Sequence, residues 1–534
     1  MDKKLIFLLP TLSSVLLIFS YPPYNIKFLS WVALVPLLIF VNFDLTKKKI
    51  FLGGFLTGLI FFGGTLRWLL SSHPLDWMGI GNVYLSFVLA AANWLVMAGF
   101  MALFFGFFSS AFSWLKTKTW LDLFLAPGLW IIFEYLRAWG FNFLYFGPGT
   151  LWGAHYTLGD LGYSLVNSGN FLQLAGFTGV LGLGFLAVFI NFVIFKILKG
   201  SFKRNNLIFF VVFFTFLISL NFYGLHLKTE KEKQTDKKVP IALIQGNFPS
   251  QFYYTFEERR QNFLAYLQLV KEAAVNPSNP QIIILPEDTR FFTWLKKINP
   301  EPDKFLKELF NGQKKLLITS GRTEDADGQI KSIMTYYDTQ KGIVGQYQKR
   351  FLMPIGEYLP YWLNGLAQFF GKKDWVDDFN ASRGYSKGNQ AVVAEADWGK
   401  ISGLMCSGVL SPELNRELAD KGAEFLVFLS SNGSFRGVKP LLAQILATAQ
   451  VREVENNRYL AQSANKGWSY IIDPAGQIKE KNFSLGTTII YGKISFLSGE
   501  SFYTRYGDWI LILAAILVLV QILSRKNIIA RTNL

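Results

Sequence analysis

Three side chains that could together transfer an acyl group each stand at the end of an apolar, strand-like run. The only cysteine, Cys406, ends "GLMC", whereas Glu287 ends "IIILPE" and Lys349 ends "GQYQK". Active-site groups of α/β folds lie at the carboxyl ends of strands, so we expect these three to meet. Glu287 would act as general base toward the thiol, and Lys349 would favour the thiolate and stabilise an oxyanion. Cys406 would carry the acyl group as a thioester.

The histidines of the chain do not offer a base for this cysteine. His73, His155 and His226 all lie outside residues 227–505, and we interpret His155 as an interfacial loop residue. A Cys–His dyad within that segment is therefore excluded, and the base must be a carboxylate or a lysine. A single cysteine also excludes disulfides and cysteine-rich metal sites, and we expect neither a metal nor another cofactor. The alternative that Cys406 is only a small buried hydrophobic residue stays open at this point.

The composition is that of a chain partly embedded in a membrane. Its 534 residues are 51% hydrophobic and 17% aromatic, and the mean hydropathy is +0.27. This is too apolar for a soluble protein and too charged for one made only of membrane spans. Eight apolar stretches are about long enough to cross the hydrocarbon core. They lie near residues 5–21, 27–43, 50–70, 82–109, 119–136, 173–196, 206–224 and 508–524.

The short loops between these spans predict the orientation. Loops 21–27 and 71–81 carry little positive charge, whereas basic residues cluster in the alternate loops and the tail, at 44–49, 115–119, 198–204 and 524–531. By the positive-inside rule, both termini are cytoplasmic and the long segment before the eighth span is extracytoplasmic. The same clusters supply much of the net charge of +16, which therefore reflects membrane orientation and not a nucleic-acid partner.

The long segment has the pattern of an α/β domain, because strand-like runs alternate with helical patterns such as the one over 439–456. The charged stretch "KTEKEKQTDKK" (228–238) is expected to be a linker that lifts this domain off the membrane. We predict three parts in all. They are a transmembrane domain of seven spans (1–226), an extracytoplasmic catalytic domain (227–505), and an eighth span with a cytoplasmic tail (506–534).

The order and strand-end positions of Glu287, Lys349 and Cys406 resemble those of the nitrilase, or carbon–nitrogen hydrolase, superfamily. The segment "QKRFLMPIGEYLP" (348–360) is similar to that superfamily's lysine-to-glutamate segment in the form found in apolipoprotein N-acyltransferases. The arrangement of eight spans with one such domain before the last is also that family's, so the resemblance covers nearly the whole chain. Further similar segments are "FEYLRAWGFNFLYFGPG" (133–149), "QLAGFTGVLGLGF" (173–185), "SNGSF" (431–435), "QILATAQVREVENNRYLAQSANKGWSYIIDPAG" (444–476) and "TRYGD" (504–508).

The resemblance implies an αββα sandwich and a ping-pong reaction at the bacterial cytoplasmic (inner) membrane. An acyl chain from a phospholipid donor, typically phosphatidylethanolamine, would pass to Cys406 and then to an apolipoprotein acceptor. The accepting group would be the free α-amino group of the lipoprotein's N-terminal diacylglyceryl-cysteine. Glu357 matches the family's supporting glutamate beside the lysine. Glu134, Arg137 and Asn465 match family positions as candidates for substrate binding, with a structural ion pair or core hydrogen bonding as the alternatives.

One position departs from the family's pattern. The family commonly has an aromatic residue and then a glutamate directly after the nucleophile, whereas Cys406 is followed by Ser407 and Gly408. Two other functions are weighed against acyl transfer. A membrane-anchored amidase or carbon–nitrogen hydrolase would use the same three residues with water as acceptor, but would not need the membrane half. A non-catalytic relative that binds lipoproteins would not need all three reactive residue types.

Overall fold

The computed structural model describes residues 5–117, 121–148, 154–200, 207–233, 238–249, 254–324, 328–354 and 356–532. The first part of this chain is helical, as expected where long apolar runs must satisfy their backbone hydrogen bonds internally. Asn82 caps the longest helix by accepting a 3.0 Å hydrogen bond from the Leu85 amide. The helices are α1 (Leu8–Ser20), α2 (Val35–Val41), α3 (Lys47–Thr65), α4 (Val83–Leu115), α5 (Asp122–Phe146), α6 (Ala175–Leu198) and α7 (Leu207–Lys233).

Three helical segments of the described chain are long and apolar enough to cross a membrane: Val83–Leu115, Gly169–Leu198 and Val211–Lys233. The predicted first, second and eighth spans are shorter apolar helical segments, Leu5–Ser20, Leu29–Val41 and Trp509–Ser524. The second is not one continuous α-helix. It is a 3₁₀ turn at Leu29–Trp31 followed by the seven residues of α2, which rise only about 10 Å at 1.5 Å per residue. The long apolar helices Val83–Leu115, Gly169–Leu198 and Val211–Lys233 indicate a membrane protein.

Helix α7 continues past the predicted boundary at residue 227 and ends at Lys233. The first part of the stretch 228–238 is therefore helical and is not the expected linker. Lys231 explains why this charged segment stays ordered. Its side chain is buried, and Nζ donates hydrogen bonds to the carbonyl oxygens of Val454 (3.3 Å) and Pro474 (3.1 Å). The last turns of α7 are therefore held against the following domain.

That domain contains two six-stranded sheets. The first has the order β12-β1-β2-β3-β4-β5 and the second β11-β10-β9-β8-β7-β6. In each sheet three central strands are parallel, β1-β2-β3 and β9-β8-β7, and the outer strands are antiparallel. The strands are β1 (Lys238–Gln245), β2 (Ile282–Ile284), β3 (Leu316–Glu324), β4 (Ile330–Asp338), β5 (Gly342–Gln348), β6 (Ala394–Ala396), β7 (Gly399–Met405), β8 (Phe425–Ser431), β9 (Tyr459–Asn465), β10 (Ser469–Ile472), β11 (Ile478–Asn482) and β12 (Thr488–Ser495).

The two sheets pack face to face, and helices cover their outer faces. Leu243 of β1 and Val427 of β8 belong to one buried cluster between the sheets, and Ser463 Oγ of β9 donates a 2.6 Å hydrogen bond to Ile244 O. This is the expected αββα sandwich of the nitrilase type. Its helices, together with those that follow it, are α8 (Phe256–Ala274), α9 (Phe291–Ile298), α10 (Pro302–Leu309), α11 (Tyr361–Phe369), α12 (Lys373–Arg383), α13 (Pro412–Asp420), α14 (Lys439–Asn456), α15 (Phe502–Tyr506) and α16 (Trp509–Thr532).

Helix α14 joins the sandwich to the membrane half through buried polar contacts. Gln444 Nε2 donates a 2.8 Å hydrogen bond to Thr65 O, and its Oε1 accepts one of 3.1 Å from Trp68 Nε1. Glu455 Oε1 accepts a 2.7 Å hydrogen bond from the Val180 amide of α6. Because unpaired polar groups are costly to bury, these contacts fix how the two halves meet.

Candidate active site

The three predicted reactive residues follow three different strands. Glu287 comes shortly after β2, Lys349 directly after β5, and Cys406 directly after β7. The first two strands belong to one sheet and the third to the other, so the site forms only when the sandwich closes. Cys406 begins a 3₁₀ turn (Cys406–Leu410) with φ of 50°, a left-handed conformation that is rare for a residue other than glycine. Such backbone strain is typical of functional sites.

Lys349 links two carboxylates at the centre of the site. Its side chain is 2% exposed, and Nζ lies 2.9 Å from Glu287 Oε1 and 2.9 Å from Glu357 Oε1. The other Glu287 oxygen accepts a 3.1 Å hydrogen bond from the Ser431 amide at the end of β8. The other Glu357 oxygen accepts one of 2.8 Å from the Met353 amide. Each carboxylate is therefore held on both oxygens, and the lysine can only point between them.

Burial and the mutual proximity of these groups shift the pKa values of Cys406, Glu287 and Lys349. Burial raises the pKa of Cys406 to about 12, although Lys349 acts in the opposite direction. Burial also raises the pKa of Glu287, while Lys349 opposes that shift. Burial acts to lower the pKa of Lys349, but the nearby Cys406, Glu287 and Glu357 outweigh it and the pKa rises well above its usual value. The thiol is therefore protonated and the lysine charged at neutral pH.

Aromatic rings from both halves of the chain surround the thiol. Tyr156 stacks on Phe351 with ring centroids 4.5 Å apart, and Phe146, the last residue of α5, stacks on Tyr358 at 5.1 Å. Burial raises the pKa of Tyr156, and Cys406 is among the neighbouring groups that raise it further. The end of α5 therefore reaches the site, and aromatic rings pack beside the nucleophile.

A second buried contact connects the membrane half to the turn that carries the nucleophile. His155 Nδ1 lies 2.6 Å from Glu413 Oε1 of α13. Thr157 donates to Leu410 O from both its amide, at 3.2 Å, and its hydroxyl, at 2.9 Å. His155 is thus a buried ion-pair residue and not only an interfacial loop residue, because a carboxylate from the distant domain reaches it.

The three substrate-binding candidates make contacts within the protein. Glu134 Oε1 accepts a 2.7 Å hydrogen bond from the Leu161 amide, and Arg137 pairs with Asp160 at 2.5 Å. Both of these α5 residues are almost fully buried. Asn465 exchanges hydrogen bonds with the backbone of Phe248, at 2.9 and 3.1 Å, and lines a cavity beside Glu287. The structure thus places Asn465 next to the reactive group and the other two in a buried junction.

Gly408, where this chain departs from the family's pattern, is buried behind the nucleophile. A Cβ added to Gly408 would lie 3.2 Å from Leu404 Cβ of β7. Its carbonyl oxygen accepts a 3.2 Å hydrogen bond from the Ser411 amide. The position is therefore closely packed, and nothing in the structure explains which group replaces the usual glutamate.

Several groups at the site have no signal in the sequence. Ser431 acts through its backbone amide, which every residue but proline possesses, and Tyr156 lies far from Cys406 along the chain. The "SNGSF" segment marked the neighbourhood of Ser431 but not its role. Among the described residues, no three His, Cys, Asp or Glu side chains are grouped so as to hold a metal ion.

Comparisons with known proteins cover both halves of the chain. Residues 13–193 match the family described as the apolipoprotein N-acyltransferase N-terminal domain, and residues 240–502 match the carbon–nitrogen hydrolase family. The chain is similar to apolipoprotein N-acyltransferase of Geobacter metallireducens, with 27% identity over 98% of this chain and 96% of the relative. It is also similar to the enzyme of that name from Thermotoga maritima, with 28% identity over 96% and 92%.

Among solved structures, Saccharomyces cerevisiae Nit3, a member of branch 10 of the nitrilase superfamily, is similar over 51% of this chain and 96% of its own, with 20% identity and a TM-score of 0.36. An amidase from a Nesterenkonia species is similar over 51% and 94%, with 17% identity and a TM-score of 0.35.

Proposed function

This chain belongs to the apolipoprotein N-acyltransferase family, and we propose that it moves a fatty acyl chain from a membrane phospholipid to a diacylated lipoprotein through a thioester on Cys406. Its activity is N-acylation of lipoproteins. The observation that carries the proposed mechanism is the pairing of Lys349 with both Glu287 and Glu357, at 2.9 Å each, beside the half-buried thiol.

In the first half-reaction, Glu287 takes the proton of the Cys406 thiol as the sulfur attacks the ester carbonyl of the donor. The new C–S bond gives a tetrahedral oxyanion, which the charged Lys349 stabilises. The C–O bond to glycerol then breaks, and Glu287 returns the proton to the glycerol oxygen. The products are a thioester on Cys406 and a lysophospholipid.

In the second half-reaction, the α-amino group of the acceptor attacks the thioester. Glu287 takes a proton from the nitrogen, the C–S bond breaks, and the proton passes to the sulfur as the thiol is restored. Glu357 positions the lysine throughout, since it lies 2.9 Å from the same Nζ that pairs with Glu287. The aromatic residues Tyr156 and Phe351 keep water from the thioester, so the acyl chain is transferred and not hydrolysed.

The proposal extends to the placement of the enzyme in the membrane. It includes eight spans, a location in the bacterial inner membrane, a catalytic domain on the extracytoplasmic side, and a boundary near 505/506 before the eighth span. Basic cytoplasmic loops and the apolar helices support this topology. The predicted boundary at 226/227 falls inside α7, so we place the join between the halves at the end of that helix.

The test is transfer from phosphatidylethanolamine to a synthetic diacylated lipopeptide by the purified protein in detergent micelles. We expect a triacylated product from the wild-type protein and none from Cys406→Ala. Release of free fatty acid without any lipopeptide product would instead indicate a hydrolase. Product formation by Cys406→Ala at the wild-type rate would overturn the assignment of the nucleophile.

A further inference from the structure

A cluster of arginines stands directly beside Glu287 and is not used in the mechanism above. Asp288, the next residue, has φ of 63° and accepts two hydrogen bonds on the same oxygen, Oδ1. One comes from Arg322 Nη2 at 3.1 Å and the other from Arg290 Nε at 3.3 Å. A third guanidinium, that of Arg259 on α8, acts electrostatically on the same carboxylate. Three cations therefore share one acid.

The cluster has more positive charge than its neighbours neutralise. Three guanidinium groups against the Asp288 carboxylate leave two positive charges, and one remains when the adjoining Glu287, Glu357 and Lys349 are counted as well. The nearest acids on α8 are engaged elsewhere, because Glu257 pairs with Arg260 at 3.2 Å and Glu258 caps the helix at Thr255. Glu287 and Glu357 are bound to Lys349. An anion is the ligand that such a group would bind.

The arginines also have unused donors and space beside them. Arg290 Nη2 is buried and has no hydrogen-bond partner in the described part of the chain. Burial, followed by repulsion from Arg290 and Arg322, lowers the pKa of Arg259 to about 10. A small cavity of about 30 Å³ opens here, and its lining includes Arg259, Asp288, Glu287 and Asn465. The cavity thus connects Arg259, and the Asp288 carboxylate that binds the other two arginines, to Glu287.

Resting on the function proposed above, we propose that this cavity binds the phosphate of the phospholipid acyl donor. In the first half-reaction the glycerol oxygen leaves toward Glu287, which protonates it, and the phosphate is attached to that same glycerol. The leaving half of the donor must therefore lie on the Glu287 side of the thiol, where the cavity and its arginines are. Bidentate guanidinium groups are well suited to a phosphate diester.

The test measures binding separately from catalysis, with the Cys406→Ala protein in detergent and the short-chain lipid dihexanoylphosphatidylethanolamine as the probe. We expect isothermal titration calorimetry to show lipid binding, and we expect Arg259→Gln to raise the dissociation constant about tenfold or more. This factor corresponds to the loss of one charge-assisted hydrogen bond. Arg260→Gln is the matched control, since Arg260 neighbours Arg259 on α8 but is exposed and paired with Glu257. It should leave the affinity unchanged.

Two outcomes would overturn the proposal. Equal lipid affinity in the Arg259→Gln and Arg260→Gln proteins would mean that the arginines only stabilise the turn after β2. Inorganic phosphate that binds as tightly as the lipid would mean a site for free phosphate and not for the donor. Neither outcome depends on acyl transfer. A failure of the proposed function would appear separately, as wild-type protein that forms no acyl adduct with phosphatidylethanolamine.

Discussion

Lys349 donates a 2.9 Å hydrogen bond to Glu287 across the end of one sheet, and neither side chain is more than 8% exposed. A charged pair buried so fully needs further partners, and each residue has one, in Glu357 and the Ser431 amide. The arrangement keeps a lysine charged beside a thiol, and it holds both oxygens of the Glu287 carboxylate in a fixed position next to that lysine. It is the geometric basis for the predictions that follow.

Replacing Lys349 with methionine should lower both activity and stability. The substitution removes the group that stabilises the oxyanion, and we expect kcat/KM to fall by about 10²- to 10³-fold. It also leaves the buried Glu287 carboxylate and the half-buried Glu357 carboxylate without a cation, which should cost about 3–5 kcal/mol of unfolding free energy. The control is Lys341→Met, an exposed lysine paired with Asp397. Transfer assays and thermal unfolding should show both losses for Lys349→Met only, and a fully active Lys349→Met protein would contradict this role.

The rate of acyl-enzyme formation should depend on pH through Glu287. A general base works only when it is ionised, so the rate is high above its pKa and is lost as pH falls through it. Because burial raises that pKa, with Lys349 opposing the shift, the loss should begin at a higher pH than for an ordinary glutamate. Glu287→Gln should slow the step by about 10²- to 10⁴-fold and flatten this limb of the profile. An unchanged acidic limb in Glu287→Gln would assign the titration to another group.

The pair of His155 and Glu413 should stabilise the enzyme in a pH-dependent way. Burial acts to lower the pKa of His155, but the attraction of Glu413 outweighs it and the pKa is raised. Burial acts to raise the pKa of Glu413, but His155 outweighs it and the pKa is lowered. The histidine's contribution is complete below its unfolded pKa and is lost as pH rises through the raised folded value. The carboxylate's contribution is lost as pH falls through its lowered value.

His155→Gln should therefore lower the unfolding midpoint most at mildly acidic to neutral pH, with a cost of about 1–3 kcal/mol. The difference from wild type should shrink as the solution becomes alkaline. His226→Gln is the control, because His226 is exposed at the end of the seventh apolar stretch. A difference between wild type and His155→Gln that stays constant with pH would show that the ion pair does not form.

Introducing at position 408 the glutamate that is usual in the family should not raise the rate of acyl transfer. Even the Cβ of Gly408→Ala would lie 3.2 Å from Leu404 Cβ, inside the packed layer behind the nucleophile. We expect Gly408→Ala to cost about 1–3 kcal/mol from overpacking, and Gly408→Glu to cost more because it also buries a carboxylate. Unfolding midpoints and transfer rates check this expectation. A Gly408→Glu protein that is faster and equally stable would contradict it.

The sequence predicted the strand ends that hold Glu287, Lys349 and Cys406, because apolar runs that stop at a polar residue are a local signal. It did not predict the partner of His155, since Glu413 lies far along the chain and only the packing of the two halves brings them together. The charged end of α7 has the composition of a linker, and the sequence does not show that it packs on the following domain. Lys231 in this segment donates to the backbone carbonyl oxygens of Val454 and Pro474. Every residue has such a carbonyl, so the sequence does not indicate which ones accept.

The most direct test of the mechanism is the intact mass of the protein after incubation with phosphatidylethanolamine of one defined acyl chain. We predict an added mass of one acyl group, located on Cys406 by peptide mapping and absent from Cys406→Ala. Addition of a diacylated lipopeptide should remove this mass and yield an equal amount of triacylated product. A lipopeptide product formed without any adduct on Cys406, or an adduct that persists in Cys406→Ala, would contradict the thioester mechanism.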